Sequence, residues 1–294
     1  MIIHYAITIY KTFMIKITCD AEYFNVKDTL YCGQIFRFKP YKDGYLVHSL
    51  DKCAYCYNDG DSAVIECEET DLAHFYEFFD LDKDYQKIVA DAKSQGLKIL
   101  SCAAEYCKGV RILRQNPLET LFSFIVSQNN NIPRIKGIIE RLCARLGELK
   151  AFMEESFYAF PTAKKMAEMD EEFYKELGLG YRAEYIRRLA VEVVNGLDIN
   201  EFSSLPTTEL KKRLLSIHGV GPKVADCVTL FGFSRSDSFP VDTWMEKVYR
   251  EDFSGNLKDR NKITEYFNER FKENAGYFQQ YLFHYKRLIE NNDK

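Results

Sequence analysis

The stretch Leu210–Arg250, LKKRLLSIHGVGPKVADCVTLFGFSRSDSFPVDTWMEKVYR, decides the reading of this chain. A helical pattern ends near Ile217. A turn follows at His218-Gly219-Val220-Gly221-Pro222, and a second helix starts near Lys223. Two glycines in so short a turn permit positive φ and close approach of another backbone. The N–H groups of the turn and of the next helical turn lack partners within the helix, so they are free to bind a phosphate. A helix-hairpin-helix of this kind, built on Gly219 and Gly221, holds a nucleic-acid backbone without reading its sequence. An ordinary tight helical hairpin would carry the same residues.

Lys223 and Asp242 narrow the choice. Lys223 falls on the first turn of the second helix, where a partly buried amine is a candidate nucleophile able to form a Schiff base. Phe239-Pro240-Val241-Asp242-Thr243 then opens another helix with Asp242 as its cap. A carboxylate held beside a sugar suits a reaction that develops oxocarbenium charge. Capping alone would also explain an aspartate there, but not its company with a lysine just past a Gly-Val-Gly turn.

Working outward, residues 14 to about 70 are β-rich. MIKITC, QIFRFKP, GYLVHSL and SAVIECEE carry β-branched and aromatic residues and are separated by Lys42-Asp43-Gly44 and Asn58-Asp59-Gly60-Asp61. Beyond residue 70 the period is helical. Asn116-Pro117 supplies a cap and a first-turn proline for the apolar run LETLFSFIVSQ. Asn129-Asn130-Asn131 breaks that helix, and Ile135, Ile138, Ile139 and Leu142 mark the face of the next. Further helices are predicted over 182–195, 207–216, 223–232, 241–250, 258–271 and 274–290. The fold class is α+β, an N-terminal antiparallel β-sheet module packed on a mostly α-helical body. The predicted division is 1–13 as an uninformative extension, 14–110 as an N-terminal α+β domain, and 111–294 as the helical region. The helix-hairpin-helix lies at 207–232.

Composition sets limits. With 294 residues, 46% hydrophobic and 29% charged, the chain has ample material for a core. A net charge of −4 means that any nucleic-acid grip must be local. Lys211-Lys212-Arg213 and Arg182 with Arg187-Arg188 are candidate basic faces. Nine scattered cysteines fit free thiols, and the lone Cys53-x-x-Cys56 falls short of a zinc ligand set, so no metal is expected. No apolar run reaches the roughly 18 residues of a membrane span. Residues 1–13 lack the pattern of a secretory signal, and Met14 is an alternative start.

The segment Ile217–Asp242 resembles the helix-hairpin-helix glycosylase (HhH-GPD) superfamily, and within it the 8-oxoguanine DNA glycosylase (Ogg) branch. Four further stretches carry the resemblance, which runs from about residue 20 to 287. They are Gly33-Gln34-Ile35-Phe36-Arg37, GVRILRQNPLETLFSFIVSQNNNIPRI at 109–135, Gly178-Leu179-Gly180-Tyr181-Arg182-Ala183, and Ala275-Gly276-Tyr277-Phe278-Gln279-Gln280-Tyr281-Leu282-Phe283. The resemblance implies a TBP-like sheet module and base-excision chemistry. The base is flipped out of the duplex, Lys223 attacks the sugar C1′, and Asp242 stabilises the charge. A weaker lyase step then nicks the strand.

The resemblance assigns the other positions as well. Gly33 would present its carbonyl to N7–H of 8-oxoguanine, a donor where guanine has an acceptor. One buried unpaired acceptor costs ~1–3 kcal/mol, about ten- to a hundredfold in discrimination. Without the family, Gly33 reads as a turn glycine. Gln279 would read the Watson–Crick edge. Phe283 and Cys227 would sandwich the base, though a helical Phe and a small buried Cys are usually core. Asn129 would fill the gap left by the flipped base, with Arg134 and Arg182 on the orphaned cytosine and Tyr181 as the wedge. Trp244 and Phe231 depart from the residues common in relatives, a histidine near a phosphate and a methionine lining the pocket. Trp244 can still donate its indole N–H to DNA.

The expected partner is double-stranded DNA containing oxidised guanine. No cofactor, catalytic metal or membrane is implied. A monomer that is intracellular and DNA-associated is expected. A monofunctional glycosylase for another lesion would not need Lys223. A catalytically silent DNA-binding module would need neither Lys223 nor Asp242.

Overall fold

The computed structural model describes residues 13–292. The readings of residues 1–12 lie outside that range. Five strands, β1 (Met14–Asp20), β2 (Phe38–Tyr41), β3 (Gly44–Ser49), β4 (Lys52–Asp59) and β5 (Ser62–Glu68), form one antiparallel sheet in the order β1-β5-β4-β3-β2. A short helix α1 (Val26–Tyr31) interrupts the β-rich region between β1 and β2. Helices α2 (Leu72–Phe78), α3 (Tyr85–Ser94) and α4 (Lys98–Tyr106) follow. Next come α5 (Pro117–Ser127), α6 (Ile132–Leu146), a small hairpin of β6 (Leu149–Phe152) and β7 (Glu155–Tyr158), and α7 (Ala163–Ala167). The chain continues as α8 (Glu171–Glu176), α9 (Arg182–Val194), α10 (Thr207–Leu215) and α11 (Pro222–Cys227). It ends with α12 (Thr243–Asp252), α13 (Arg260–Phe271) and α14 (Ala275–Asn292). None of the described helices is long and apolar enough to cross a membrane.

The elements follow local chemistry. Asn116 caps α5 by accepting from the N–H groups of Leu118 and Glu119, with Pro117 in the first turn. Nearly every residue of α5 is buried, as its unbroken apolar run requires. The four predicted core positions of α6, Ile135, Ile138, Ile139 and Leu142, all face the core. Two expectations fail in the sheet. QIFRFKP is strand only from Phe38, and the unpredicted β4 carries Cys53 and Cys56. Alternation puts these cysteines on opposite faces. Cys56 joins the inner cluster with Val47, Ile65 and Phe75, and Cys53 joins an outer cluster with Leu46, Tyr55 and Phe157. They cannot share a metal, and no cluster of three metal-ligating side chains occurs among the described residues.

Residues 109–116 form a strap with no regular structure, yet its backbone is paired almost throughout. Asn25 N donates to Gly109 O at 2.7 Å, Ile112 N to the Tyr85 hydroxyl at 2.8 Å, and Arg114 N to Phe78 O at 2.9 Å. Gln34, fully buried, donates to Arg111 O at 2.7 Å and accepts from Leu113 N at 2.8 Å. Arg111 donates to Phe79 O and Tyr23 O and stacks on the Tyr85 ring, 4.1 Å from its centroid. The strap therefore fixes the loop that carries Gly33.

A buried ion pair joins sheet to body. Arg37 meets Glu119 at 3.0 Å and also donates to Leu50 O and Tyr158 O. Glu119 accepts from Leu50 N at 2.7 Å. Beside it, His48 of β3 stacks on Phe157 of β7 with centroids 4.7 Å apart. Burial pushes the His48 imidazole down from 6.5 to about 3.

Glu119→Ala strands the Arg37 charge. Stability is expected to fall by about 3–5 kcal/mol, read as a lower urea midpoint at constant slope. His48 gives a pH signature. Its folded value lies below its unfolded one, so the unfolded chain binds the proton first. This contribution is present above pH 6.5 and is lost as pH falls toward about 3. The slope is at most about 1.4 kcal/mol per pH unit. Urea titrations across that window should show the slope in the wild type and a shallower one in His48→Phe.

Candidate active site

The hairpin forms as predicted between α10 and α11, but its two glycines differ. Gly219 has φ +84°, and a Cβ there would meet the Tyr185 ring at 2.4 Å. Gly221 has φ −92° and open space beside it. Only Gly219 needs the conformational freedom and close approach expected of both. Gly221 caps α11 without a side chain and leaves that end uncovered. The helix runs on from Cys227 through a π turn at Val228–Gly232.

Lys223 is half-buried on the first turn of α11, with its ammonium 5.1 Å from the centroid of Phe124. Asp242 caps α12, accepting from Trp244 N at 2.9 Å and Met245 N at 3.0 Å. Those bonds aim one carboxylate oxygen at the helix start and fix its χ angles. Both charges act on the thiol of Cys227. Burial raises that thiol to about 11, Lys223 pulls it down, and Asp226 and Asp242 push it up. Cys227 is thus uncharged at neutral pH and lies close enough to both the amine and the carboxylate to respond to each. Trp244 is half-buried beside Asp242, tied there through its backbone.

A second group faces this one. Gly33 has φ +91°, and a Cβ on it would lie 3.3 Å from the Phe283 ring and 3.4 Å from Nη1 of Arg287. Gln279 is buried, and its Oε1 has no hydrogen-bond partner among the described residues. An unpaired buried amide is costly unless something comes to meet it. Phe36, three residues past Gly33, packs edge-on against Phe124 at 5.6 Å. Phe124 also stacks on Phe231 at 5.6 Å. One ring thus supports both the Gly33 loop and Lys223.

The third group is the loop after α5. Asn129 is exposed with φ +45°. Arg182 is buried and donates to Gln128 O and to Asn129 O at 3.0 Å, and to Leu179 O at 3.2 Å. The resemblance implies a contact between Arg182 and the orphaned cytosine. In the protein alone its donors go to the loop that presents Asn129. Tyr181 is exposed, with the Arg182 guanidinium 4.4 Å from its ring centroid. Arg134 is exposed and rests on Gly178 O at 3.2 Å. The Gln128 amide donates to Gly219 O at 2.9 Å, which locks this loop to the hairpin.

Three contributors escaped the sequence reading: Gln128, Phe124 and Arg287. A glutamine at a helix end, an apolar phenylalanine and a C-terminal arginine carry no signal until the fold brings them together. The basic runs are less available than expected. Lys211 pairs with buried Asp226 at 2.8 Å, and Arg188 pairs with Glu192 at 3.1 Å. A cavity of about 970 Å³ between α10 and α13 contains none of the expected site residues and lies behind the hairpin.

Comparisons with known proteins agree with this geometry. Residues 122–273 match the HhH-GPD superfamily base excision DNA repair protein family, and residues 16–121 match the 8-oxoguanine DNA glycosylase N-terminal domain. A crystal structure of Clostridium acetobutylicum 8-oxoguanine glycosylase/lyase, bound to dsDNA containing cytosine opposite 8-oxoG, superposes with a TM-score of 0.87 at 35% identity. It covers 92% of this chain and 93% of that one. A probable N-glycosylase/DNA lyase of Methanothermobacter thermautotrophicus is 31% identical over 65% of this chain and 67% of its own. The N-glycosylase/DNA lyase of Saccharomyces cerevisiae is 33% identical over 65% of this chain, but the match spans only 54% of the yeast protein. The chain belongs to the HhH-GPD superfamily of base excision DNA repair proteins and, within it, to the 8-oxoguanine DNA glycosylase family.

Proposed function

We propose that this chain excises 8-oxoguanine opposite cytosine from duplex DNA and then nicks the strand as an abasic-site lyase. The observation that carries the reading is that the fold brings Lys223, on the first turn of α11, and Asp242, the cap of α12, close enough for both to act on the Cys227 thiol. The flipped base would lie between Cys227 and Phe283, with Gln279 at its Watson–Crick edge and the Gly33 carbonyl at N7–H. Gln279 Oε1, buried and unpaired in the protein alone, gains a partner from the base.

In the chemical step the Lys223 amine forms a bond to C1′ as the C1′–N9 bond breaks. The base leaves with that electron pair and takes up a proton. Asp242, its other oxygen free of the cap bonds, offsets the positive charge that builds on the sugar. Opening of the sugar ring gives a Schiff base on Lys223. Loss of a proton from C2′ expels the 3′ phosphate by β-elimination. Water then releases the amine.

Asn129 would occupy the vacated stack with Tyr181 as the wedge. Arg182 serves by fixing the Asn129 backbone, and exposed Arg134 is left to face the cytosine. Gly219, Gly221 and Trp244 border the phosphates. Double-stranded DNA is the partner this assembly suits, and its address in the cell is wherever that DNA is.

Borohydride added during turnover of an 8-oxoguanine:cytosine duplex should trap a covalent protein–DNA adduct. Lys223→Gln should form none, and its excision rate should drop on the order of 10³-fold or more. Base release by the wild type without an adduct would mean hydrolysis by water, and binding without release would mean a silent module. Asp242→Asn keeps a capping side chain and removes the charge. Its single-turnover excision should slow by about 10²–10³-fold while its thermal midpoint stays near that of the wild type.

A further inference from the structure

Arg287 has no assigned task, yet it sits in the wall of the base pocket. It lies on α14 two turns beyond Gln279 and one beyond Phe283, so the three side chains form a row along one helix. Its guanidinium is 5.1 Å from the Phe283 ring centroid, and Nη1 is 3.4 Å from where a Gly33 Cβ would stand. Nη1 is shielded from solvent and has no hydrogen-bond partner among the described residues. No carboxylate of the described residues lies within ion-pair distance, whereas Arg37, Lys211 and Lys286 are ion-paired and the buried Arg111 and Arg182 donate to carbonyls. A buried guanidinium donor with nothing to bind is costly in the free protein. Its persistence beside the pocket points to an acceptor brought by the ligand.

The order along α14 identifies that acceptor. On the reading above, Gln279 takes the Watson–Crick edge, Phe283 the ring face and Gly33 the N7–H. Arg287 extends the row away from Gln279, beside Gly33. The edge of the base at that end carries C8, next to N7. In 8-oxoguanine C8 bears a carbonyl oxygen, and in guanine it bears only a hydrogen.

We propose that Arg287 is a specificity-determining residue that donates a charge-assisted hydrogen bond to the C8 carbonyl of the flipped 8-oxoguanine. Gly33 and Arg287 then test two adjacent features of one lesion. Gly33 accepts from the added N7–H, and Arg287 donates to the added oxygen. A guanidinium stacked on Phe283 is well placed for this because its planar fork keeps a fixed direction.

The test compares wild type, Arg287→Leu and Arg287→Lys in single-turnover excision of 8-oxoguanine opposite cytosine and in cleavage of a preformed abasic site. The abasic duplex keeps every phosphate and the sugar but has no C8 carbonyl. Arg287→Leu should slow excision by roughly 10- to 100-fold and leave abasic-site cleavage unchanged, with Arg287→Lys between the two. Equal loss of both activities would place Arg287 on the phosphates or in the fold and overturn the inference. Unchanged or faster excision would make it a plug that the base displaces and would overturn it too. Failure of the wild type to release 8-oxoguanine while it still cleaves abasic DNA would sink the substrate reading first, and this inference with it. A crystal structure of Lys223→Gln bound to the same duplex gives a second reading. A guanidinium nitrogen within hydrogen-bond distance of O8 supports the inference, and a guanidinium on a phosphate overturns it.

Discussion

The buried amide of Gln34 is the constraint on which the site depends. It has no access to water, so its donor and acceptor must both be met inside. They are met by Arg111 O and Leu113 N of the strap, and Gln34 O in turn accepts from the Gln115 amide at 2.8 Å. Gly33 is the preceding residue. Its positive φ and its carbonyl are thus held by neighbours that cannot move without stranding polar groups. The strap is pinned to the helical body by Gln115 N on Phe231 O at 2.8 Å. Phe231 stacks on Phe124, above which Lys223 sits. A chain of direct contacts runs from the Gly33 loop, the proposed reader of the base, to Lys223, the proposed nucleophile.

That arrangement explains why a five-stranded sheet belongs to a DNA-cleaving enzyme at all. None of the proposed DNA-facing residues lies on the five strands of the sheet. Its role is to supply the Gly33 loop, between α1 and β2, and to hold it against the helical body. The Arg37–Glu119 pair ties the two together at the other end of the same loop. Buried ion pairs contribute little net stability against an apolar alternative. This one sets register, since the guanidinium also fixes Leu50 O and Tyr158 O.

Much of this was legible in the sequence. The long helices carried strong periodicity and explicit caps, so Asn116-Pro117 and Asp242 marked true starts. The Gly-Val-Gly turn with Lys223 and Asp242 pointed to the family that the comparisons show. The strand β4 was missed because KCAYCYND mixes cysteine, lysine and turn residues, and its cross-strand partners are what make it a strand. QIFRFKP read as strand throughout, yet Gln34 to Arg37 are used for loop contacts and only Phe38 onward pairs. Arg182 read as a basic-face residue or a cytosine contact, and nothing near it in the sequence marked it as buried. Its burial follows mainly from the carbonyls of Gln128 and Asn129, which lie 54 and 53 residues away in the sequence. Arg287 could not be read at all, since its meaning is its distance from Gly33.

The clamp of Arg182 on the Asn129 loop has a consequence for how the molecule meets undamaged DNA. Asn129 is held in a left-handed conformation before any duplex arrives, with three carbonyls already bound to one buried guanidinium. The loop has little conformational entropy left to lose. With a net charge of −4 the chain as a whole adds no long-range attraction to phosphates, so its hold on DNA is local. If Asn129 is the probe proposed above, a preset loop on a body without long-range attraction favours brief visits to many base pairs over long stays at a few. Search speed is then bounded by dissociation and sliding, and not by refolding of the reading head at each step.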